Sequence, residues 1–192
     1  MIKLRRRLGV DIDGVIADTQ PVIIEELNKY FAKNYTVQDF INFDPVEKYG
    51  INRQELHRFI MERELILIEK ARPMPGAITS INRLINKYEI NIISARTPVY
   101  RQNTLNWFAR HNIGFDNVVL TGSHDKRGQV KDTCVELFIE DSLKNAVQIS
   151  STGIPVFLFD ATYNQGELPP LVYRKFSWTE ITGSIDNVTP AK

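Results

Sequence analysis

Beyond Gly76 the chain repeats a pattern that few folds accommodate. Ile90-Asn91-Ile92-Ile93, Val118-Val119-Leu120, residues 135–139 and Val156-Phe157-Leu158-Phe159 are short, almost continuously apolar runs. Between them the apolar residues fall at helical spacing: Ile78, Ile81, Leu84 and Ile85, then Leu105, Trp107 and Phe108 after Pro98, then two further stretches around 127–133 and 143–150. Short aliphatic runs without alternation are strands buried on both faces, and helices between them make a parallel sheet covered on both sides. The expectation is an α/β chain with a doubly wound, Rossmann-like parallel sheet.

The first strand of that sheet is expected ahead of the repeat, at residues 8–12, inside Gly9-Val10-Asp11-Ile12-Asp13-Gly14-Val15-Ile16-Ala17-Asp18. Two carboxylates at the end of a buried strand are costly unless a cation shares them. A divalent metal held by hard carboxylate oxygens is one answer. Division of labour is the other, one aspartate attacking while its neighbour moves protons. Asp18 is left outside the site, as a cap for the following helix or a hinge residue.

Residues 19–75 break the pattern. Pro21 suits a first helical turn, and Val22, Ile23, Ile24, Leu27, Tyr30 and Phe31 keep helical spacing. Asp44-Pro45 and Gly50 interrupt, and a second helix is expected over 53–69 with Leu56, Phe59, Ile60, Leu65 and Ile68 on its apolar side. Arg72-Pro73-Met74-Pro75-Gly76 ends it. The division expected is a core of residues 1–18 and 76–192 with a strand-free helical cap, 19–75, inserted after the first strand. The tail beyond Gly166 is expected to hold one helix near 177–181.

Charge narrows the partners. Twenty-four basic residues against 23 acidic ones give a net charge of +1, so no global field favours nucleic acid or a membrane surface. The basic run at residues 3–7 reads as a solvated flank. No apolar run is long enough to span a bilayer, and Asp11 and Asp13 interrupt the one near the N-terminus, so no signal peptide is expected. The lone cysteine, Cys134, rules out an intramolecular disulfide; it is expected to be a buried thiol at a strand edge. The Asn187-Val188-Thr189 sequon carries no weight without a secretory signal, and the cytoplasm is the expected compartment.

In an open parallel sheet, ligands bind beyond the carboxyl ends of the strands. Those ends carry Asp11 and Asp13, then Ser94, then Thr121, then Glu140 and Asp141, with Lys126 in the loop after Thr121. Each has a local explanation, because Asp, Ser and Thr also cap helices. Asp141-Ser142, Ser94 and Thr97 are all candidate caps. Two acidic pairs and two hydroxyls on one edge exceed what capping alone accounts for.

Asp-Ile-Asp-Gly-Val, Ile-Ile-Ser-Ala-Arg, a downstream lysine and Phe-Ile-Glu-Asp-Ser, in that order, resemble the four motifs of the haloacid dehalogenase-like (HAD) phosphohydrolases. Within that group the chain is similar to the 5'(3')-deoxyribonucleotidase-like (NT5C-type) bacterial nucleotidases, through Ala17-Asp18 and the compact helical insertion. The resemblance implies a phosphomonoesterase acting on a small phosphorylated metabolite, a nucleotide or a similar phosphate, through an aspartyl-phosphate. Asp11 is then the nucleophile and Asp13 the acid and base. Mg²⁺ is held by Asp11, the Asp13 backbone carbonyl and Asp141, while Ser94, the amides near Gly14 and a lysine bind phosphate. Either Lys126 or Lys131 fits the lysine, and Lys126 is preferred because it starts the short helix. Glu140 replaces a commoner aspartate and either reaches the metal through water or orients the lysine. Arg96 either reaches phosphate or the leaving group, or lies on the surface. Of the cap aromatics Tyr30, Phe31, Tyr35, Phe40, Phe43, Tyr49 and Phe59, one or two are expected to face substrate. His57, His111 and His124 receive no role.

A receiver-type signalling domain also joins an acidic pair, a hydroxyl and a lysine on a parallel sheet. It places its lysine last and carries no insertion after its first strand, so the order here disfavours it. A catalytically idle relative binding through its cap is the other alternative. A homo-oligomer is compatible with the sequence.

Overall fold

The computed structural model describes residues 5–40 and 45–188. Phe43, Asp44, Lys3 of the basic flank and Thr189 of the sequon lie outside the described residues. Six strands form one parallel sheet: β1 (Arg6–Val10), β4 (Tyr88–Ser94), β5 (Asn117–Leu120), β6 (Leu137–Glu140), β7 (Val156–Phe159) and β8 (Val172–Lys175). Their spatial order is β5-β4-β1-β6-β7-β8. The chain runs outward from β1 to β5 on one side, then crosses to β6 and runs outward on the other. That reversal makes β1 and its neighbours the switch point where a crevice opens at the carboxyl ends.

Register follows from what each strand can bury. Leu8, Val10, Ile90, Ile92, Leu137, Ile139 and Phe157 share one apolar cluster; Ile93, Phe138, Val156 and Leu158 share another on the opposite face. Trp107 and Phe108 of α5 (Arg101–Arg110), Ile81 and Leu84 of α4 (Ala77–Leu84), and Trp178 and Ile181 of α8 (Trp178–Ser184) cover the first. Val130 of α6 (Arg127–Asp132) and Ala146 and Ile149 of α7 (Leu143–Ser150) cover the second. Gly9 allows β1 and β6 to meet: a Cβ there would lie 2.3 Å from the Phe138 ring.

Between β2 (Ala17–Asp18) and β3 (Arg72–Pro73) the described chain is helical, with α1 (Gln20–Phe31), a 3-10 turn at Val37–Phe40, α2 (Pro45–Tyr49) and α3 (Arg53–Lys70). Ile24, Leu27, Phe40, Tyr49 and Phe59 form a separate small core there. Asn52 and Glu55 close a capping box on α3, Asn52 Oδ1 accepting from the Glu55 amide and Glu55 Oε2 from the Asn52 amide.

Several expectations change. The 19–75 segment is not free of strand, because Arg72 and Pro73 pair antiparallel with Asp18 and Ala17. Asp18 is therefore a strand residue at the base of the helical segment, and Thr19 holds the N-cap position of α1. The tail contributes a whole strand, β8, besides α8. Cys134 is exposed in a left-handed turn (φ 52°) rather than buried. The described arginines of the basic flank are each matched by an acid: Arg5 with Asp116, Arg6 with Glu136, Arg7 with Glu89. Among the described residues no helix is long and apolar enough to cross a membrane.

Candidate active site

Asp11 is the first residue beyond β1, and its amide still donates to the Ile139 carbonyl of β6 (3.0 Å). That bond keeps the residue at the sheet edge with its side chain in the crevice. Asp11 Oδ1 accepts from the Ile12 amide (2.7 Å), and Asp11 Oδ2 lies 2.6 Å from Lys126 Nζ. Lys126 is fully buried and its other partner is Glu140 Oε2, at 2.8 Å. Lys131 is exposed on α6, so the two lysines are separated by position.

Glu140 ends β6 with both oxygens engaged. Its Oε1 accepts from the Asp141 and Ser142 amides (3.3 and 3.1 Å) and from Asn145 Nδ2 (3.4 Å). The carboxylate is therefore braced by the start of α7 and aims at the lysine. Ser142, not Asp141, caps that helix, accepting from the Asn145 amide, and Asp141 is left to the crevice. Gly14 makes this crowding tolerable. Its φ of +73° suits glycine, and a Cβ would lie 2.1 Å from Asp141 Oδ2 and 2.7 Å from the Tyr163 hydroxyl.

Asp13 faces a different partner. Arg96 Nε and Nη2 donate to its two oxygens at 2.9 and 2.8 Å, a bidentate clasp. Arg96 is buried, not a surface residue, and its Nη1 donates to Thr104 of α5 (3.3 Å). Ser94, at the end of β4, is buried beside it and lines the same cavity. Neither Ser94 nor Thr97 makes a side-chain helix cap. Thr121 binds back on to the Ser94 carbonyl (3.1 Å), bracing the strand end.

These residues face a cavity of about 800 Å³ between the sheet edge and the helical segment. Asp11, Asp13, Ser94, Arg96, Glu140 and Asp141 line its floor; Ile24, Phe40, Leu56, Ile60, Met61 and Ile68 are on its opposite wall. Among the described aromatics of that segment only Phe40 is in that wall; Tyr30, Phe31, Tyr35, Tyr49 and Phe59 pack on one another. His57 and His124 also line the cavity, which spacing along the chain did not reveal.

Carboxylate oxygens of Asp11, Glu140 and Asp141 come within 4.8 Å of one another. Three carboxylates against one buried ammonium leave two negative charges uncompensated. Burial, first, and then neighbouring Glu140 push Asp11 up to about 7; burial and then Asp11 push Asp141 up to about 6. Burial works against the Lys126 cation, but Asp11 and Glu140 outweigh it and raise its pKa. An all-oxygen donor set with this charge deficit fits a hard divalent cation such as Mg²⁺. Asp13 is not part of the carboxylate cluster, since Arg96 holds its side chain.

The sequence pattern leaves out contributors of two kinds. The Tyr163 hydroxyl donates to Asp141 Oδ2, and Asn164 Nδ2 donates to the Asp141 and Phe159 carbonyls (2.6 and 2.7 Å). Both lie in the loop after β7, on the same sheet edge as the other site residues, so extending the strand-end rule by one strand reaches them. Glu64 is the second case. It falls between Ile60 and Ile68 at four-residue steps, a lone carboxylate on the inner face of α3.

A parallel sheet with this strand order and carboxylates, a lysine and a serine along its carboxyl edge is the architecture of a HAD-like phosphohydrolase. The fold is shared with the solved haloacid dehalogenase-like family hydrolase SP0104 of Streptococcus pneumoniae, with a TM-score of 0.67 and 13% identity over 94% of this chain and 98% of that one. The proteins named as putative nucleotidases, YqfW of Bacillus subtilis and BH1399 of Halalkalibacterium halodurans, are 32% and 31% identical to the chain. They cover 94% and 96% of it, and 94% and 95% of their own lengths. Residues 5–190 match the model of the family described as 5' nucleotidase, deoxy (pyrimidine), cytosolic type C protein (NT5C). The chain belongs to that family, and it is a phosphoric monoester hydrolase.

Proposed function

We propose that the chain hydrolyses a (deoxy)nucleoside 5'-monophosphate through an aspartyl-phosphate on Asp11, with residues 19–75 as the cap over the site. The observation that carries this reading is the Asp11 carboxylate. It is oriented by Lys126 and the Ile12 amide at the floor of a cavity large enough for a nucleotide-sized ligand. In the first half-reaction an Asp11 oxygen bonds to phosphorus, the P–O bond to the alcohol breaks, and Asp13 supplies the proton that the alkoxide needs. In the second, Asp13 takes a proton from water, whose oxygen attacks the phosphoryl group and frees Asp11. Ser94 and Lys126 hold the phosphoryl oxygens; the amides expected to help them are engaged within the protein, Ile12 N–H with Asp11 Oδ1 (2.7 Å) and Gly14 N–H with the Ala17 carbonyl (2.8 Å). Asp11, the Asp13 carbonyl and Asp141 are the residues to hold Mg²⁺, with Glu140 orienting Lys126 beside them. The cation would neutralise phosphate and carboxylate charge, so that one anion can approach another.

The test has two arms. Asp11→Asn is expected to abolish Mg²⁺-dependent phosphate release from an aryl phosphate; undiminished release would remove the nucleophile assignment. A screen of deoxy- and ribonucleoside monophosphates against sugar phosphates is expected to favour nucleotides. A flat profile would remove the nucleotide preference while leaving the hydrolase standing.

A further inference from the structure

Glu64 is a buried carboxylate on α3, on the cavity wall opposite the sheet. Its oxygens are both used: Oε1 accepts from the Thr97 amide (2.6 Å) and Oε2 from the Thr97 hydroxyl. A carboxylate so fully engaged with the protein has little left for a substrate. Thr97 follows Arg96 directly, and Arg96 is the residue that clasps both oxygens of Asp13.

The short segment from Ser94 to Pro98 is stiff enough to transmit a displacement. Pro98 restricts Thr97 to an extended backbone, observed at φ −67° and ψ 130°. On the core side the Arg96 carbonyl accepts from the Gly122 amide (3.1 Å) and the Ser94 carbonyl from the Thr121 amide (2.9 Å). On the cap side Glu64 is the holding group. Further along, α3 is tied to α5 at its C-terminal end, Trp107 Nε1 donating to the Ala71 carbonyl (2.8 Å). The same helix α5 supplies Thr104 to Arg96.

We infer that Glu64 is a positioning residue that couples the seating of α3 to the orientation of the Asp13 carboxylate, through Thr97 and Arg96. This rests on the reading of Asp13 as acid and base. Arg96 holds both Asp13 oxygens, at 2.9 and 2.8 Å, so the direction in which that carboxylate faces follows the guanidinium. Where the guanidinium sits therefore decides whether Asp13 faces the leaving group or stays parked. With α3 seated, Glu64 sets that position; with α3 displaced, Arg96 loses its reference on the cap side.

The experiment reads Arg96 directly. The wild-type side-chain Nε–H resonance of Arg96 is identified by its loss in Arg96→Lys, and then followed in Glu64→Ala, Glu64→Gln and Thr97→Val. Glu64→Ala is expected to shift or broaden the signal although it touches no Arg96 atom, and Thr97→Val to do so in part. Glu64→Gln is expected to restore it, since an amide can accept from the Thr97 N–H and donate to the hydroxyl. In steady-state hydrolysis of an aryl phosphate, Glu64→Ala is expected to lower kcat by about ten- to a hundredfold with KM little changed. An unmoved resonance in folded Glu64→Ala, or a loss confined to KM, would overturn the coupling. If Glu64→Ala does not fold, an unmoved resonance in Thr97→Val does the same. Asp13→Asn separates the two layers. Full activity in that variant would remove the acid–base reading, whereas an inactive Asp13→Asn beside an unaffected Glu64→Ala would remove the coupling alone.

Discussion

Lys126 Nζ lies 2.8 Å from Glu140 Oε2, and neither side chain reaches solvent. Removing one partner of a buried pair leaves a charge that water cannot reach, which costs about 3–5 kcal/mol. Asp11 remains beside Lys126 when Glu140 is lost, so Glu140→Ala is expected to cost about 3 kcal/mol, the lower end of that range. Glu140→Gln keeps an acceptor in place and should cost less. Urea unfolding of the two variants decides it, and an alanine variant as stable as wild type would contradict the pairing.

The metal-free protein should lose stability as pH rises. Burial pushes Asp11 up to about 7 and Asp141 up to about 6, from 3.8 in a solvated chain. A carboxyl whose pKa is raised by folding favours the fold below its unfolded value, and the advantage is lost as pH rises through the folded one. Chelator-treated protein is thus expected to lose thermal stability from pH about 4 to about 7. Mg²⁺ binds the ionised carboxylates, so its stabilising shift in Tm should be small below pH about 6 and grow above about 7. A Mg²⁺ shift independent of pH would count against Asp11 and Asp141 as its ligands.

Tyr163→Phe removes one donor from Asp141 Oδ2 and leaves the ring. Groups that orient a metal-binding carboxylate commonly contribute about 10–100-fold to metal affinity or activity. The apparent Mg²⁺ dissociation constant, read from the Tm shift at a series of concentrations, is expected to rise by about tenfold. The unfolding midpoint of metal-free protein should barely move, because Tyr163 is 46% exposed and its ring is kept. An unchanged Mg²⁺ constant would show that Asn164, through the Asp141 carbonyl, suffices to hold that loop.

How much of this was legible in the sequence depends on how each residue carries its signal. Strands buried on both faces announce themselves as aliphatic runs, and β4 and β7 came out close to their observed limits. Val172–Lys175 did not, because an edge strand buries little: Val172 is inside while Tyr173 is exposed. β2 and β3 are two residues each, too short for any period to show. Cys134 looks buried in the sequence because apolar Val135 follows it, but the strand begins only at Leu137. That Lys126 meets the sheet edge was legible from its place before α6, but the partners of Arg96 were not. Nothing in the spacing of Asp13 and Arg96 along the chain says that they clasp, since 83 positions separate them. The aromatics of the helical segment had a period but no address; tertiary packing sent all of those described except Phe40 away from the cavity wall.

Gly14 offers the sharpest separation of site from scaffold. Alanine there meets two objections at once. The backbone sits at φ +73°, where a Cβ costs about 1–2 kcal/mol, and the added carbon would stand 2.1 Å from Asp141 Oδ2. Asp141 can retreat only by giving up its place beside Asp11, and the Tyr163 hydroxyl only by giving up Asp141. The turn itself is held from elsewhere, since Val15 and Ile16 donate their amides to the Ile12 carbonyl (3.3 and 2.8 Å), and the sheet pairs of β1 end at Val10. Gly14→Ala is therefore expected to fold, with an unfolding free energy lowered by about 1–2 kcal/mol. Phosphate release should fall by at least about a hundredfold, and the Mg²⁺-dependent rise in Tm should disappear with it. An alanine variant that keeps both activity and the Mg²⁺ shift would mean that Asp141 acts from a position other than the one it holds against Gly14.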